Sequence, residues 1–223
     1  MSDAASVSGE NRPRVVLASG SAGKLRELRP LLADTGFGLV SQAELGIDAG
    51  PETADTFVEN ALSKARHVAD RTDGPVLADD SGLVVPALDG APGVRSARFA
   101  GYTGDVEPER DAANNALLLE RMAGVTDRRA WFCCVLVVLR SAADPLPLIA
   151  HGVWHGTLLT APRGEGGFGY DPLFVDMQSG KTAAELAPED KRARSHRGLA
   201  IAQLLPQLEA LREQLDAHRA EPS

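Results

Sequence analysis

The sequence predicts an α/β protein with a mixed β-sheet, and three observations carry this prediction. Short apolar runs typical of strands are interleaved with amphipathic stretches typical of helices, so the two are not segregated along the chain. One pair of apolar runs is joined by a short polar turn and reads as a hairpin. Of the 223 residues, 43% are hydrophobic and 24% are charged, which is the balance of an ordinary globular protein.

The N-terminal half begins with a strand, a tight turn and a helix. Residues 14–18 form a short apolar run, and a Gly- and Ser-rich turn separates it from leucines at helical spacing. Residues 38–42 predict a second strand, and residues 75–80 predict a third that ends in two carboxylates. Between these strands, Asp55 or Thr56 can cap a second helix.

The C-terminal half adds a loop, a helix and the hairpin. Residues 86–104 lack periodicity and predict a structured loop, and a helix fits residues 107–123. Residues 131–139 are continuously apolar, which predicts a central strand buried on both faces. Residues 148–158 alternate enough to be its hairpin partner.

The two ends of the chain differ in character. Residues 1–13 are polar and predict a disordered tail, so residues 14–218 are expected to form a single domain. Near the other end, residues 162–172 are Gly-rich, and an amphipathic helix is predicted from about 198 to 218. Pro206 should kink that helix or mark its restart.

Composition excludes several classes of protein. The 23 Lys and Arg residues against 31 Asp and Glu residues give a net charge of −8, which disfavours non-specific nucleic-acid binding. The longest apolar run, 131–139, is far shorter than the roughly 20 residues of a membrane span, and no secretory signal precedes it. The only cysteines, Cys133 and Cys134, are adjacent and offer no disulfide framework, which favours a cytoplasmic protein.

The first candidate site is the turn after the first strand. Small residues let a backbone approach a phosphate, helix-start amides attract anions, and a lysine adds a positive charge. An ordinary helix cap with a solvated lysine explains the same residues. The turn comprises Ser19, Gly20, Ser21, Ala22, Gly23 and Lys24.

A pair of carboxylates marks the second candidate site. Asp79 and Asp80 follow a buried run, where ionised groups are costly unless they are compensated. Because side chains alternate along a strand, one should face a site and the other should bind backbone or a cation. Mg²⁺ suits such oxygens, and Glu52 and Glu59 can approach the same edge, although Glu59 is as easily a charge at a helix start. An Asp-Ser-Gly turn ending at Gly82 is the plainer alternative.

Two further segments complete the candidate set. Residues 166–172 alternate glycine with Phe168 and Tyr170, which suits stacking on a flat ring, although two aromatics can also simply pin a tight loop. Residues 191–197 are locally basic, which is also typical of a solvated helix face. Together the four segments indicate a nucleotide site with a metal.

Five blocks of this sequence, in order, resemble the non-canonical purine nucleoside triphosphate pyrophosphatases, the inosine triphosphatase-like family. They are ASGSAGKLREL, TFVENALSKARHVA, LADDSGLVVPALDGAPGVRSARFAG, PRGEGGFGYDPLF and KTAAELAPEDKRARSHRG. The resemblance implies hydrolysis of ITP, dITP and XTP between the α and β phosphates. It also implies Mg²⁺, a homodimer, no nucleic-acid or membrane partner, and an elongated two-lobed fold around a long, twisted mixed sheet with a central cleft.

Roles follow from the resemblance position by position. Asp80 matches the family's proton acceptor and a metal ligand, and Glu52 falls near a second metal carboxylate. Ser19 and Ser21 depart from the family's usual Thr and Asn, which bears on the positioning of substrate. The implied substrate contacts are the Ser19–Lys24 turn, Ser81, Phe168, Gly169, Tyr170, Asp171, Lys191, His196 and Arg197.

Other interpretations remain open at this stage. Septum-formation-inhibitor-like nucleotide pyrophosphatases open with a Ser-x-Ser loop, and Ser19 and Ser21 share that spacing. A nucleotide sensor without turnover would be favoured by loss of the catalytic carboxylate, yet Asp80 is present. Strong salt-dependent binding to DNA would indicate a nucleic-acid module instead.

Overall fold

The structure is a computed structural model, and it describes residues 12–104 and 106–220, with side chains to residue 217. Of the predicted tail, residues 1–11 lie outside the described residues. Pro13 is buried, and its carbonyl accepts the Gly38 amide at 2.9 Å just before the first strand.

In the described residues six strands form one mixed sheet; the sequence predicts the mixed sheet and five of the strands, and the short sixth strand is not predicted. The six strands are Arg14–Ala18 (β1), Gly38–Ser41 (β2), Val76–Val84 (β3), Arg129–Leu139 (β4), Leu148–Leu158 (β5) and Phe174–Asp176 (β6). Their order in the sheet is β2-β1-β3-β4-β5-β6. β1 is parallel to both β2 and β3, whereas the pairs β3–β4, β4–β5 and β5–β6 are antiparallel.

Five α-helices flank the sheet. They are Ala22–Leu32 (α1), Phe57–Ala69 (α2), Glu107–Arg121 (α3), Pro188–Arg194 (α4) and His196–Ala220 (α5). Thr56 caps α2, since its side chain accepts the Glu59 amide. The predicted loop at 86–104 contains two short 3₁₀ turns, at residues 86–88 and 93–98.

The third strand is longer than the sequence predicts. Its two carboxylates lie in the middle of β3, which continues to Val84 instead of ending at Asp80. The reason is the antiparallel neighbour, because Ser81–Val84 pair with Trp131–Cys134 of β4 after the parallel pairing with β1 has stopped at Ala78. Cross-strand pairing therefore outweighs the Ser-Gly dipeptide that suggests a turn.

The predicted restart at Pro206 is wrong, because α5 runs unbroken from His196 to Ala220. Proline removes one backbone donor, which leaves the carbonyl four residues earlier, at Ala202, without its helical partner. Both Pro206 and Ala202 lie on the exposed side of the helix, where water can bind that carbonyl. Leu204 and Leu208, on the buried side, keep the helix against the sheet.

Three clusters of buried apolar residues form the core. Two of them lie on opposite faces of the sheet along the first half of β3, at Leu77 beneath α1 and α5 and at Ala78 beneath α2. The third surrounds the far end of β3 at Leu83, with Phe132 of β4 and Leu118 of α3. The polar residues 79–81 therefore lie along β3 between apolar clusters.

Candidate active site

A cleft of about 780 Å³ lies where β1 ends and β3 continues. Ala18, the last residue of β1, pairs with Ala78, after which the chain turns away into α1. Beyond that point β3 keeps β4 on one side. Ser81 and Gly82 from this stretch line the cleft.

The turn between β1 and α1 forms one wall of the cleft. Ser21 caps α1, since its Oγ accepts the Lys24 amide at 3.4 Å, and the same hydroxyl donates to Glu107 Oε1 at 3.1 Å. First-turn amides lack partners within their helix and attract anions. The turn residues that line the cleft are Ser19, Gly20, Ser21, Ala22 and Lys24.

Gly23 lies behind this wall and makes room for an aromatic ring. It is buried, and a Cβ on it would come within 2.9 Å of Phe168 Cγ. The absence of a side chain therefore lets the Phe168 ring pack directly on the first turn of α1. The turn before α1 and the Gly-rich loop at 166–172, which are both predicted to bind the nucleotide, contact each other at this point.

Asp79 is a buried anion beneath the turn. It is 1% exposed, and its Oδ1 lies 2.5 Å from Lys24 Nζ. Arg197 Nε lies 3.4 Å from Oδ2, while Ser81 Oγ and Cys134 Sγ each donate to the carboxylate at 3.0 Å. Burial raises the pKa of Asp79, but the charges of Lys24 and Arg197 outweigh it and hold the pKa well below its usual range. The ionised carboxylate therefore fixes two cations.

Asp80 faces the opposite side of β3, where it meets Lys64 of α2. Lys64 Nζ donates to Asp80 Oδ1 at 2.7 Å, to Glu52 Oε1 at 2.8 Å and to the Asp79 carbonyl at 2.6 Å. Burial raises the pKa of Asp80 above its usual value despite the charge of Lys64. Asp80 Oδ2 is buried and has no hydrogen-bond partner among the described residues.

Glu52 completes a pair of carboxylates that fits a hard divalent cation. Its Oε2 accepts Arg98 Nη2 at 2.9 Å, and although burial raises its pKa, Lys64 brings the net pKa below the usual value. Within residues 12–104 and 106–220, no three His, Cys, Asp or Glu side chains converge as a metal cage. Mg²⁺ typically takes one or two carboxylates and completes its shell with water and substrate phosphates. The buried Asp80 Oδ2, which no described group binds, is the oxygen that would ligate such an ion.

Lys64 and Arg98 are cleft residues that the sequence analysis does not name as candidates, although both lie inside blocks that carry the resemblance. Lys64 lies three residues after Ala61 and four before Val68, which places a lysine on the buried face of α2. A lysine at such a position is rare unless it is paired, so this is a signal that the sequence offers. Arg98 lies in an aperiodic loop and offers no comparable signal.

The Gly-rich loop places its two aromatic rings differently. The Phe168 ring lies in the cleft, with Lys191 Nζ and Arg197 Cζ each 5.4 Å from its centroid. Tyr170 is 4% exposed, and its hydroxyl donates to the Ser96 carbonyl at 2.9 Å. Phe168 can therefore offer a stacking face, whereas Tyr170 anchors the loop in the core.

Asp171 holds the same loop to the basic segment. Its Oδ2 accepts the Phe168 amide at 2.9 Å and Lys191 Nζ at 2.6 Å. Burial raises the pKa of Asp171 above its usual value despite the charge of Lys191. Gly169, which has a φ of 61°, and Asp171 both line the cleft.

The basic segment 191–197 is divided between α4 and the start of α5. Lys191 and Arg197 turn inward and share Glu27 of α1, with nitrogen–oxygen distances of 2.6 and 2.7 Å. Burial raises the pKa of Glu27, but Arg197 and Lys191 outweigh it and bring the pKa to about 2. Arg197 Nη2 also donates to Ser81 Oγ at 2.7 Å, so this arginine joins β3 to α1.

His196 is a buried ring beside the cleft. It is 3% exposed and stacks on Phe132, with ring centroids 4.8 Å apart and 14° between the planes. Burial and the charge of Arg197 hold its pKa well below the usual value, so the ring is neutral at pH 7. Its Nδ1 has no partner among the described residues.

Most of the predicted site residues lie in the wall of this one cleft. Asp80 and Lys191 lie behind it, bonded to the lining residues Lys64 and Asp171, and Gly23 lies beneath Phe168. The predicted residues in the wall are Ser19, Gly20, Ser21, Ala22, Lys24, Glu52, Ser81, Phe168, Gly169, Tyr170, Asp171, His196 and Arg197.

Among the helices of residues 12–104 and 106–220, none is both long enough and apolar enough to cross a bilayer.

Comparisons with known proteins found similar sequences and a similar fold. The model of the Ham1 family matches residues 15–207. The dITP/XTP pyrophosphatase of Bordetella pertussis is 56% identical over 200 residues, which cover 90% of this chain and 93% of that protein. The enzyme of the same name from Aromatoleum aromaticum is 55% identical, with coverage of 87% and 96%. The solved HAM1 protein of Coxiella burnetii superposes with a TM-score of 0.80 at 46% identity, covering 89% of this chain and 99% of that one.

Proposed function

Because the chain belongs to the Ham1 family, we propose that it is a nucleoside triphosphate pyrophosphatase. It hydrolyses ITP, dITP and XTP to the nucleoside monophosphate and pyrophosphate, and so removes deaminated purines from the nucleotide pool. The observation that carries the proposal is the position of the carboxylate pair Asp80 and Glu52. Both are bound by Lys64 beside a cleft that has an anion-attracting turn in one wall and an aromatic ring in another.

Asp80 and Glu52 are the residues that would hold the divalent cation, Mg²⁺ in this proposal. When bound, the ion offsets phosphate charge and polarises phosphoryl oxygens. Asp80 Oδ2, which no described group binds, suits an ion that takes one or two carboxylates and shares its coordination with the substrate.

Asp80 is also the proton acceptor. A water oxygen attacks the α phosphorus, the bond from that phosphorus to the α–β bridging oxygen breaks, and pyrophosphate leaves. The proton released by the water passes to Asp80. Its raised pKa suits this role, because a more basic carboxylate is a better acceptor.

The phosphate-binding side of the cleft acts mainly by position and charge. The turn amides and Ser19 bind the triphosphate, and Lys24 and Lys64 offset the charge that develops on the leaving pyrophosphate. Asp79 holds Lys24 in place through the 2.5 Å ion pair. The substitution of Thr and Asn by Ser19 and Ser21 preserves the hydroxyl and the helix cap.

The base-binding side selects purines with a 6-oxo group. Phe168 stacks on the base, and Arg197 with the backbone near Asp171 supplies hydrogen-bond donors for the oxo group. A donor that faces the 6-amino group of ATP is left unpaired, and a polar site of this kind discriminates by about 10⁴-fold. His196 is buried and neutral, so it contributes to the shape of the base-binding side and adds no charge to it.

We further propose a cytoplasmic homodimer. Leu146 in the turn between β4 and β5 and Ile149 in β5 are 69% and 48% exposed. The proposal of a homodimer rests on the family resemblance, and these two apolar side chains are candidates for its contact surface. Sedimentation of the purified protein would measure the assembly directly.

The experiment that tests the activity is pyrophosphate release from ITP, XTP, dITP, GTP, ATP and methylated pyrimidine triphosphates, with Mg²⁺ and with EDTA. Metal-dependent preference for ITP, dITP and XTP is the expected result. Turnover confined to pyrimidine nucleotides would assign the chain to the septum-formation-inhibitor-like reaction instead. Absence of turnover on every nucleotide would overturn the proposal.

A further inference from the structure

A row of polar side chains on α3 contacts both the turn before α1 and the Gly-rich loop at 166–172. Glu107, Asp111 and Asn115 are spaced by four residues, so they lie on the same face of the helix. Glu107 Oε1 accepts the Ser21 hydroxyl at 3.1 Å, which ties the start of α3 to the phosphate-binding turn. The next two members of the row reach the Gly-rich loop.

Asp111 and Asn115 together hold a single residue, Gly169. The Gly169 amide donates to Asp111 Oδ2 at 2.6 Å, and its carbonyl accepts Asn115 Nδ2 at 2.8 Å. With a φ of 61°, Gly169 adopts the left-handed conformation that glycine tolerates best. Both polar backbone groups of this residue are therefore bound by side chains one helical turn apart.

These two hydrogen bonds, which we call the Gly169 clamp, lie next to the Phe168 ring in the cleft. The amide that Asp111 binds belongs to the peptide group between Phe168 and Gly169, while the preceding amide, on Phe168 itself, is bound by Asp171. The peptide groups on both sides of Phe168 are thus fixed by carboxylates. A charged acceptor at 2.6 Å makes the Asp111 bond one of the stronger kinds of hydrogen bond.

We propose that Asp111 and Asn115 are positioning residues for the nucleobase. By clamping Gly169 they hold the Phe168 ring against the first turn of α1, in the position from which it stacks on the base. Neither residue contacts Lys24, Lys64 or Asp80 among the hydrogen bonds and ion pairs of the described residues. Their loss should therefore weaken binding through the base and leave binding through the phosphates intact. This inference rests on the proposed function.

The test compares two ligands in wild-type protein and in the variants Asp111→Ala, Asn115→Ala and Asp111→Asn. The ligands are a non-hydrolysable ITP analogue and inorganic triphosphate, each titrated calorimetrically with Mg²⁺. Glu120→Ala is the matched control, because Glu120 is exposed and lies on the same helix. Thermal unfolding of each variant shows that it is folded.

We expect Asp111→Ala to weaken the ITP analogue roughly tenfold, which is the scale of one lost hydrogen bond to a charged group. Inorganic triphosphate should bind within about twofold of wild type, and Asn115→Ala should behave in the same way with a smaller change. Asp111→Asn keeps an acceptor oxygen and should recover part of the affinity. In turnover assays, KM for ITP should rise while kcat stays within about twofold.

Two results would overturn the inference. Unchanged affinity for the ITP analogue in Asp111→Ala would show that the clamp does not position the base. Equal weakening of the analogue and of inorganic triphosphate would show general damage to the cleft. Failure of the wild-type protein to bind the ITP analogue would instead refute the proposed function, and the inference with it.

Discussion

The ammonium group of Lys64 joins oxygens from three places in the chain: Glu52, Asp80 and the Asp79 carbonyl. An ammonium group has three hydrogens, so these bonds use its full donor capacity. A buried charge is tolerated when it is paired in this way. Arg98 Nη2 also lies 2.9 Å from Glu52 Oε2, so two cations face the two carboxylates and the cluster is formally neutral.

The Asp80→Asn variant should lose most of its turnover of ITP. The amide is similar in shape but cannot accept the proton of the attacking water, so kcat for ITP should fall by about 100-fold or more. KM should change far less, since Ser19–Lys24 and Phe168 remain. Steady-state kinetics with Mg²⁺ measure both quantities.

The matched control for this change is Asp73→Asn, because Asp73 is exposed in the turn before β3. That variant should retain the wild-type kcat. Turnover of Asp80→Asn near the wild-type level would remove Asp80 from the chemistry.

At the scale of elements, local patterns predicted most of the sheet. The bounds of β5 agree with the predicted strand at 148–158, because its alternation and the polar turn before it are both local signals. Thr56 was identified as one of two cap candidates for the same reason. The identities of the phosphate turn and the aromatic loop also came from short segments of sequence.

The remaining features depend on which elements meet in space. β3 continues past Asp80 only because β4 is there to pair with it. Nothing in the pattern of α3 indicates that Asp111 reaches Gly169, 58 residues away. The position of Lys64 on the buried face of α2 indicates a paired lysine, but it does not indicate that the partners are Glu52 and Asp80. Contacts between distant segments are set by packing, and one sequence does not display them.

The turn between β4 and β5 allows a prediction about pH. Asp144 accepts the Arg140 amide, Arg140 Nε and the Leu146 amide, each at 2.9 Å. Hydrogen bonds from Arg140 lower the pKa of Asp144 from 3.8 to about 2. Because the folded-state pKa is the lower one, the carboxylate stabilises the protein fully above about pH 4 and loses that effect as the pH falls through about 2.

We therefore expect Asp144→Asn to reduce the free energy of unfolding at pH 7 by about 1 kcal/mol. The difference from wild type should shrink below pH 4 and disappear near pH 2, as followed by urea denaturation at several pH values. A difference that stays constant over this range would mean that the charge of Asp144 is not what stabilises the turn.

At the scale of the whole molecule, the cleft lies between apolar clusters instead of inside one of them. Leu77 and Ala78 on one side of the polar residues 79–81 belong to two clusters, and Leu83 on the other side belongs to the third. Ionised groups can occupy this stretch because partners reach it from α1, α2 and α5. The net charge of −8 belongs to the whole chain, whereas ionised groups of both signs line the cleft.

The strands β3 and β4 contribute residues to all three apolar clusters, which bears on how cooperatively the protein unfolds. Because the three clusters share these two strands, we expect residues 12–104 and 106–220 to unfold as one cooperative unit. Scanning calorimetry should show one heat-absorption peak whose van't Hoff and calorimetric enthalpies agree. Two resolved peaks would mean that the clusters melt separately despite the strands that join them.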